Sequence, residues 1–245
     1  MKPIALLFIG TIVFCSFSAC KKSSSSSSEP VPAIYKKIYG ATSITNDGTY
    51  ITIKSNGVPD HKSVYYPTSN PLYQAFSGTT FGGYTFSQNP NTIESQTLTF
   101  KIPVNPAEAI THAATPLGPI GVALNGVPLF NQYNGQDNPL TVEITSFDQW
   151  WGHPQQNGQY HYHVEPKYLT QVMASDSALI GFLLDGFPVY GPVEDGDTVV
   201  NSMLDEYHGH FHVTADYPNG IYHYHFTAAA PYINGNGFYG TAGTV

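Results

Sequence analysis

The sequence predicts an all-β fold with one or two short helices, built on a duplicated β-hairpin and strand scaffold with pseudo-twofold symmetry. Short apolar or alternating segments are separated by turn signals, of which Asn125-Gly126 and Asp185-Gly186 are the clearest. Three sequence blocks also occur twice in the same order, which indicates an internal duplication. Two copies are too few for a solenoid. We therefore expect a single sandwich-like or barrel-like domain over residues 33–245, with repeats at about 118–165 and 178–232.

The repeated blocks keep their order along the chain. Residues 120–130 correspond to residues 180–190, and each block holds an apolar strand, an Asn-Gly or Asp-Gly turn and a short return strand. An Asp-x-x-x-Gly-His frame follows, at residues 148–153 and again at 205–210. Last comes Tyr-His-Tyr-His, at residues 160–163 and 222–225. The turn geometry alone accounts for the Asn-Gly and Asp-Gly pairs.

The remaining elements follow from local patterns. Residues 49–53 alternate between two turn signals and predict a strand, and residues 96–104 predict another. Pro128 and Pro188 indicate that the return strands lie at a sheet edge or begin irregularly. Helices are expected only at residues 166–175 and 199–206.

The first twenty residues resemble a bacterial lipoprotein signal, with Lys2 before a short apolar run and Cys20 after Phe17-Ser18-Ala19. Cys20 would carry the lipid, and residues 21–32 would form a serine-rich tether. We therefore expect a protein of the bacterial cell envelope, at the periplasmic or outer-membrane surface, that meets the membrane through its lipid anchor only. The alternative is a plain secretory signal cleaved nearby.

Cysteine use and charge exclude several classes of function. Cys15 lies in the removed segment and Cys20 is the lipid site, so no cysteine remains for a disulfide, a thiolate ligand or a nucleophile. From residue 103 onward the chain has thirteen acidic residues, one lysine (Lys167) and no arginine. The resulting negative electrostatic field repels nucleic acid and favours cations. A need for solubility alone also explains the acidic composition.

The Tyr-His-Tyr-His blocks are the candidate metal-binding elements. Successive strand side chains point to opposite faces, so His161 and His163 share one face and the tyrosines share the other. Two imidazoles about 6.5 Å apart along a strand can lean together onto one ion. His153 is the obvious third ligand. The second trio is His210, His223 and His225, and the two trios would hold separate ions or one shared centre.

Further residues are candidates for supporting roles. Asp148 and Asp205 suit carboxylates that orient an imidazole through its second nitrogen. His208 and His212 flank His210, and His212 shares its strand face. His61, in a turn-rich segment, would either fold back onto the metal region or stay solvated; the supporting candidates are Asp148, Asp205, His61, His208 and His212.

These blocks together resemble the YHYH domain proteins. The resemblance spans nearly the whole mature chain, from residues 55–61 through both Tyr-His-Tyr-His blocks to Pro231-Tyr232. The resemblance implies a secreted or envelope protein, but it does not imply any established activity. Members often carry cysteines near the two Gly-His turns, where this chain has Trp150 and Tyr207. We therefore expect aromatic packing, or looser loops, in place of a disulfide.

Several functions fit these patterns. The first hypothesis is a divalent transition metal, zinc or copper, held by the paired histidines. The alternative is that the histidines have a purely structural role in a polar, aromatic core. A glycan or polar-ligand module would use the many aromatic and asparagine side chains without a metal. A three-histidine hydrolase or hydratase is a further alternative, although no general base stands at a fixed spacing from the histidines. The sequence does not identify a protein partner.

Overall fold

The computed structural model describes residues 28–175, 177–235 and 237–245. Its strands are β1 (Ala41–Asn46), β2 (Tyr50–Ser55), β3 (Leu98–Pro103), β4 (Pro119–Ala123), β5 (Pro128–Phe130), β6 (Gly152–Pro154), β7 (Tyr160–Tyr162), β8 (Leu179–Leu183), β9 (Pro188–Tyr190), β10 (Val193–Glu194), β11 (Asp197–Thr198), β12 (Gly209–His212) and β13 (Ile221–His225). The helical segments are a π-helix at Leu169–Met173 and 3-10 turns at Tyr35–Lys37, Phe81–Gly83, Glu143–Ser146 and Asn201–Met203. The predicted all-β class with few short helices is confirmed.

Both predicted hairpins form where the turn signals place them. Gly126 and Gly186 have φ values of 80° and 85°, a left-handed conformation that glycine adopts without the cost a side chain would add. The predicted strands at 49–53 and 96–104 appear as β2 and β3. The two helix predictions also find counterparts, in the π-helix and in the last 3-10 turn.

Most strands join one eight-stranded sheet in the order β12-β13-β9-β8-β4-β5-β7-β6. Each strand of this sheet has a counterpart in the other repeat. Counterparts occupy equivalent positions when counted from the two ends of the sheet. At the centre β4 and β8 run antiparallel, with Val122 opposite Phe182. Because these two residues correspond in the repeat, the local twofold axis passes between them. The two ends of the sheet are unpaired, so the described strands form an open sheet and no closed barrel.

The return strands are interior strands and not edge strands. Pro128 and Pro188 open β5 and β9, each of which pairs with a neighbour on both sides. The edge alternative is therefore wrong, and each proline is the first residue of its strand. Proline is accommodated because the first residue of a strand can lack a ladder N–H.

A second sheet, β1-β2-β3, supports the central hairpins. The Ser55 hydroxyl donates to the Gly126 carbonyl at 2.7 Å, which fixes the turn of the first hairpin. The turn of the second hairpin lies beside Pro103, at the end of β3. The small sheet therefore contacts both repeats and breaks the twofold symmetry of the domain.

The pairing register divides each Tyr-His-Tyr-His block between two faces of the large sheet. Leu129 lies opposite Tyr162, and Val189 lies opposite Tyr224, so the tyrosines follow one face in both halves. The histidines follow the other face, together with Phe130 and Tyr190. The predicted alternation is present in both copies.

The N-terminal segment is described only from residue 28. The predicted signal, its Cys20 and most of the tether lie outside the described residues. Within the tether, Glu29 donates its N–H to the Asn46 carbonyl at 2.9 Å, and Val31 packs against the core. The last tether residues therefore contact the domain. No helix in the described ranges is long and apolar enough to cross a membrane.

Candidate metal centres

The first site consists of Glu143, His153, His161 and His163. His153 on β6 lies directly opposite His161 on β7, and His163 follows β7 on the same face. The Nε2 atom of His161 lies 3.1 Å from that of His153 and 2.9 Å from that of His163. Three ring nitrogens therefore converge on one point.

Hydrogen bonds to the opposite ring nitrogens fix the tautomers of His161 and His163. His161 Nδ1 donates to the Gln159 carbonyl at 3.1 Å, and His163 Nδ1 donates to the Asn131 carbonyl at 2.5 Å. His153 Nδ1 lies 2.7 Å from the Ser146 hydroxyl and 3.4 Å from the side-chain amide nitrogen of Asn89. A carbonyl only accepts, so the Nδ1 atoms of His161 and His163 carry the proton and their Nε2 atoms present lone pairs. Two lone pairs that face each other at 2.9 Å repel unless a cation lies between them.

Glu143 completes the first site. Its Oε1 lies 3.3 Å from His153 Nε2, and its Oε2 is buried without a hydrogen-bond partner in the described chain. The residue begins the 3-10 turn Glu143–Ser146, which buried Ile144 and Ser146 anchor. Burial alone would raise the pKa of Glu143, but contact with His153 holds it below its ordinary value. The carboxylate is therefore ionised and aimed at the three nitrogens.

The second site consists of Glu194, His210, His223 and His225, and it repeats the first. His210 on β12 lies opposite His223 on β13, with 3.2 Å between their Nε2 atoms. His223 Nδ1 donates to the Ile221 carbonyl at 3.0 Å, and His225 Nδ1 donates to the Gly191 carbonyl at 2.7 Å. Gly191 is the repeat counterpart of Asn131, so the same backbone positions orient the rings in both halves.

Glu194 supplies the carboxylate of the second site from the short ribbon β10–β11. Its oxygens lie 3.0 Å from His210 Nε2, 3.1 Å from His223 Nε2 and 3.7 Å from His225 Nε2. The Nε2 atom of His225 is buried without a hydrogen-bond partner in the described ranges. An acceptor nitrogen facing an acceptor oxygen in a buried place is unfavourable unless a cation bridges them.

The geometry of both sites fits a four-coordinate divalent metal. In each site the four donor atoms lie within 4.8 Å of one another. Donors about 2.0–2.1 Å from a tetrahedral zinc are about 3.3 Å apart. The ring nitrogens lie 2.9 to 3.2 Å apart, so an outward adjustment of a few tenths of an ångström would admit the ion. These histidine-rich clusters are thus able to hold a metal.

Burial keeps the rings in the neutral, metal-binding form. Burial, aided by the neighbouring His153, lowers the pKa of His163 to about 4 and takes the pKa of His161 well below its ordinary value. In the second site burial likewise lowers the pKa of His223 and of His225. At neutral pH these rings are therefore already in the form that is able to bind a metal, with no proton to lose first.

The two trios belong to separate sites. β7 and β13 are five strand intervals apart in the sheet, which is about 24 Å at a spacing of about 4.8 Å. That span is far larger than the 4.8 Å that contains each set of donor atoms. The arrangement favours one ion in each half over a shared centre.

The predicted supporting carboxylates lie on the tyrosine face. Asp148 accepts hydrogen bonds from the Tyr160 hydroxyl at 2.9 and 3.0 Å, and Asp205 accepts one from the Tyr222 hydroxyl at 2.9 Å. Backbone carbonyls orient the imidazoles of the two blocks instead. Contrary to expectation, the aspartates therefore do not orient the imidazoles. Strand alternation turns the tyrosines and not the histidines toward them.

His61 also contacts the tyrosine face. Its Nε2 lies 2.9 Å from the Tyr162 hydroxyl, and its ring packs against Tyr168 at 5.0 Å. It is buried, so the solvated alternative is wrong, and it lies away from both metal clusters. Trp150, beside the first Gly-His turn, packs against the same Tyr168 at 5.1 Å. Aromatic packing thus occupies this loop, as expected.

The histidines that flank His210 have different surroundings. His208 turns away, and its Nε2 donates to the Thr227 hydroxyl at 2.9 Å. His212 does approach the second site, but through the carboxylate: its Nδ1 lies 3.1 Å from Glu194 Oε1. His212 therefore positions Glu194 and is absent from the four-residue cluster.

Both glutamates were missed by the sequence analysis because the repeat does not carry them. Glu143 lies five residues before Asp148, and the matching position before Asp205 is Val200. Glu194 lies sixty residues after Asn134, which has no charge. The two halves thus place a carboxylate at the same point in space from different loops. The only signal in the sequence was an acidic side chain upstream of each Gly-His pair.

One family of known proteins matches this chain. The family model described as YHYH protein matches residues 99–203 and 193–237, which is more than half of the chain. No curated protein and no solved structure matches significantly. Because the match covers more than half of the chain and includes both Tyr-His-Tyr-His blocks, this chain belongs to the YHYH family.

Proposed function

We propose that the protein is an envelope-anchored metal-binding protein that holds two divalent transition metal ions, zinc or copper(II), one in each three-histidine, one-glutamate site. The convergence of ring nitrogens in each half carries this proposal, since the buried Nε2 atoms of His161, His163, His223 and His225 are unprotonated. The donor set of imidazole and carboxylate without sulfur suits zinc or copper(II). Attachment through Cys20 is the sequence-based part of the proposal.

The four-ligand arrangement favours holding the metal over using it in hydrolysis. A catalytic zinc keeps one coordination position open for water, whereas a structural zinc takes four protein ligands. Here a glutamate oxygen lies next to the ring nitrogens at 3.0 to 3.3 Å in both sites. The geometry therefore supports metal storage or structural binding more directly than the hydrolase or hydratase alternative.

Metal stoichiometry tests the proposal. The purified mature chain is loaded with zinc or with copper(II), desalted and measured by inductively coupled plasma mass spectrometry. We expect two ions per chain, because the two donor sets are separate. Changing His161 and His163 together to alanine should reduce uptake to one ion, and changing His223 and His225 should do the same.

Two further variants separate lost ligands from lost folding. Glu143→Gln and Glu194→Gln leave the histidines in place and should weaken metal affinity only in their own half. His112→Ala, which lies outside both clusters, is the matched control and should keep two ions. Unchanged uptake in both double-histidine variants would remove these residues from any metal site. Electron paramagnetic resonance then distinguishes copper(II), which gives a signal, from zinc, which is silent.

A further inference from the structure

A cavity of about 720 Å³ opens directly over the first site. Glu143, His153 and His163 form part of its wall, so a molecule in the cavity would lie against the metal ligands. Its volume falls in the range of about 300–1,000 Å³ that is typical of small-molecule sites.

The wall of this cavity is rich in side-chain amides and poor in charge. Seven lining residues are asparagine or glutamine, and Glu143 is the one acidic side chain among the lining residues, which include no lysine or arginine. An amide both donates and accepts hydrogen bonds, as a ligand hydroxyl does. An anionic ligand would find no lysine or arginine side chain in this wall to offset its lost hydration. The lining therefore matches a neutral, hydroxyl-rich molecule.

Two of the amides are free to bind such a molecule. Gln136 and Gln156 line the cavity and are exposed, and their side chains make no hydrogen bond within the described ranges. Phe130 and Tyr133 add aromatic surface to the same wall. Hydrogen-bonding amides beside aromatic rings are suited to the hydroxyl groups and the C–H faces of a sugar ring.

The cavity over the second site has a different character. It measures about 970 Å³, and its wall includes Lys37, Glu194, Asp195 and Asp216. Lys37 forms an ion pair with Asp216 there. A charged wall of this kind does not match a neutral ligand, so the two metal sites face different surroundings.

We propose that the cavity over the first site binds a short neutral carbohydrate. The proposal rests on the amide-rich wall and not on the metal, so it goes beyond the metal-binding function. It assigns a ligand to the first half of the duplicated domain alone.

A glycan array that carries neutral and anionic oligosaccharides tests the proposal. The metal-loaded full chain should bind neutral glycans in preference to uronic acid or sulfated ones. Replacing Gln136 and Gln156 together by alanine should lower affinity for the best neutral glycan by at least tenfold in calorimetry. The matched control, Gln74→Ala with Gln171→Ala, changes two exposed glutamines outside the cavity and should leave affinity unchanged.

The outcomes separate this proposal from the metal-binding one. Binding to no neutral glycan, or equal binding by the Gln136/Gln156 variant and the wild type, would overturn the carbohydrate site whatever the metal content. Repeating the calorimetry after chelation measures the contribution of the metal. Sugar binding by a chain that takes up no metal would refute the metal proposal and leave the carbohydrate site standing.

Discussion

The tyrosines of the two Tyr-His-Tyr-His blocks have different partners at corresponding positions. Tyr162 accepts a hydrogen bond from the Asn125 amide at 3.1 Å. In the second half Tyr224 donates to the Asp185 carboxylate at 2.5 Å, and the Gly240 N–H donates to the same oxygen at 2.9 Å. Asn125 and Asp185 occupy equivalent turn positions. One half thus uses a neutral side chain where the other buries an acid.

This burial gives Asp185 a pH-dependent effect on stability. Burial raises the pKa of Asp185 to about 6, from 3.8. Between about pH 4 and pH 6 the unfolded chain has lost this proton while the folded chain keeps it. The free energy of unfolding should therefore fall as pH rises through that window, by up to about 3 kcal/mol, and the loss should persist above pH 6.

Asp185→Asn isolates this effect. The variant cannot ionise, so we expect its unfolding free energy relative to wild type to increase by up to about 3 kcal/mol from pH 4 to pH 7. Its absolute stability carries a separate cost, since the amide nitrogen replaces an oxygen that accepts either the Phe187 N–H or the Gly240 N–H. Urea unfolding in chelator at several pH values measures the difference. Parallel curves for the two proteins would contradict the prediction.

At the scale of single elements, the two glutamates lie on segments that differ in how well they are packed. Glu143 starts a 3-10 turn whose Ile144 and Ser146 are buried. Glu194 lies on the ribbon β10–β11, in which each strand has two residues and pairs only with the other among the described strands. One of its histidine partners is also more accessible than its counterpart: the His210 side chain is 24% exposed, against 2% for His153. Short, weakly packed elements open more readily than anchored ones.

We therefore expect the second site to release its metal first. Mixing the zinc-loaded protein with excess chelator in a stopped-flow instrument should show two phases of equal amplitude. The variant with His223 and His225 changed to alanine should keep only the slow phase, and the variant at His161 and His163 only the fast phase. A single phase in wild type, or the reverse assignment, would show that the ribbon does not control release.

The elements also show how far sequence reasoning reaches. The hairpins at Asn125-Gly126 and Asp185-Gly186 were predicted because turn chemistry is local. The parallel pairing of β5 with β7 and of β9 with β13 was not predicted, because it joins strands about thirty residues apart. The six histidines of the two clusters were named from strand alternation. Glu143 and Glu194 were missed because their approach depends on loop paths that no sequence period describes.

At the scale of the whole molecule, stability depends on close backbone contact across the central strand pair. A Cβ atom added at Gly181 would lie 2.2 Å from the Val122 carbonyl oxygen, and one at Gly121 would lie 2.5 Å from the Phe182 carbonyl oxygen. In both cases the nearest atom belongs to the backbone of the facing strand, which cannot move aside as a side chain could. The two glycines thus allow the two halves to join.

Gly181→Ala should therefore be strongly destabilising, by about 3 kcal/mol or more, because the strands must separate to admit the methyl group. Gly135→Ala is the matched control, since nothing lies within 4 Å of its added Cβ. Thermal unfolding of the metal-free proteins gives the comparison. Equal melting temperatures for the two variants would show that the central contact is not needed.

The antiparallel pairing of β4 with β8 has a consequence for a chain of half this length. Val122 faces Phe182, its own counterpart, so each half offers an edge complementary to itself. A single-repeat polypeptide would leave that edge bare, and an identical copy would cover it around the same axis. The present protein then corresponds to a homodimer whose subunits have been fused in tandem. After such a fusion, the loops of each half can change independently while the pairing of β4 with β8 is preserved.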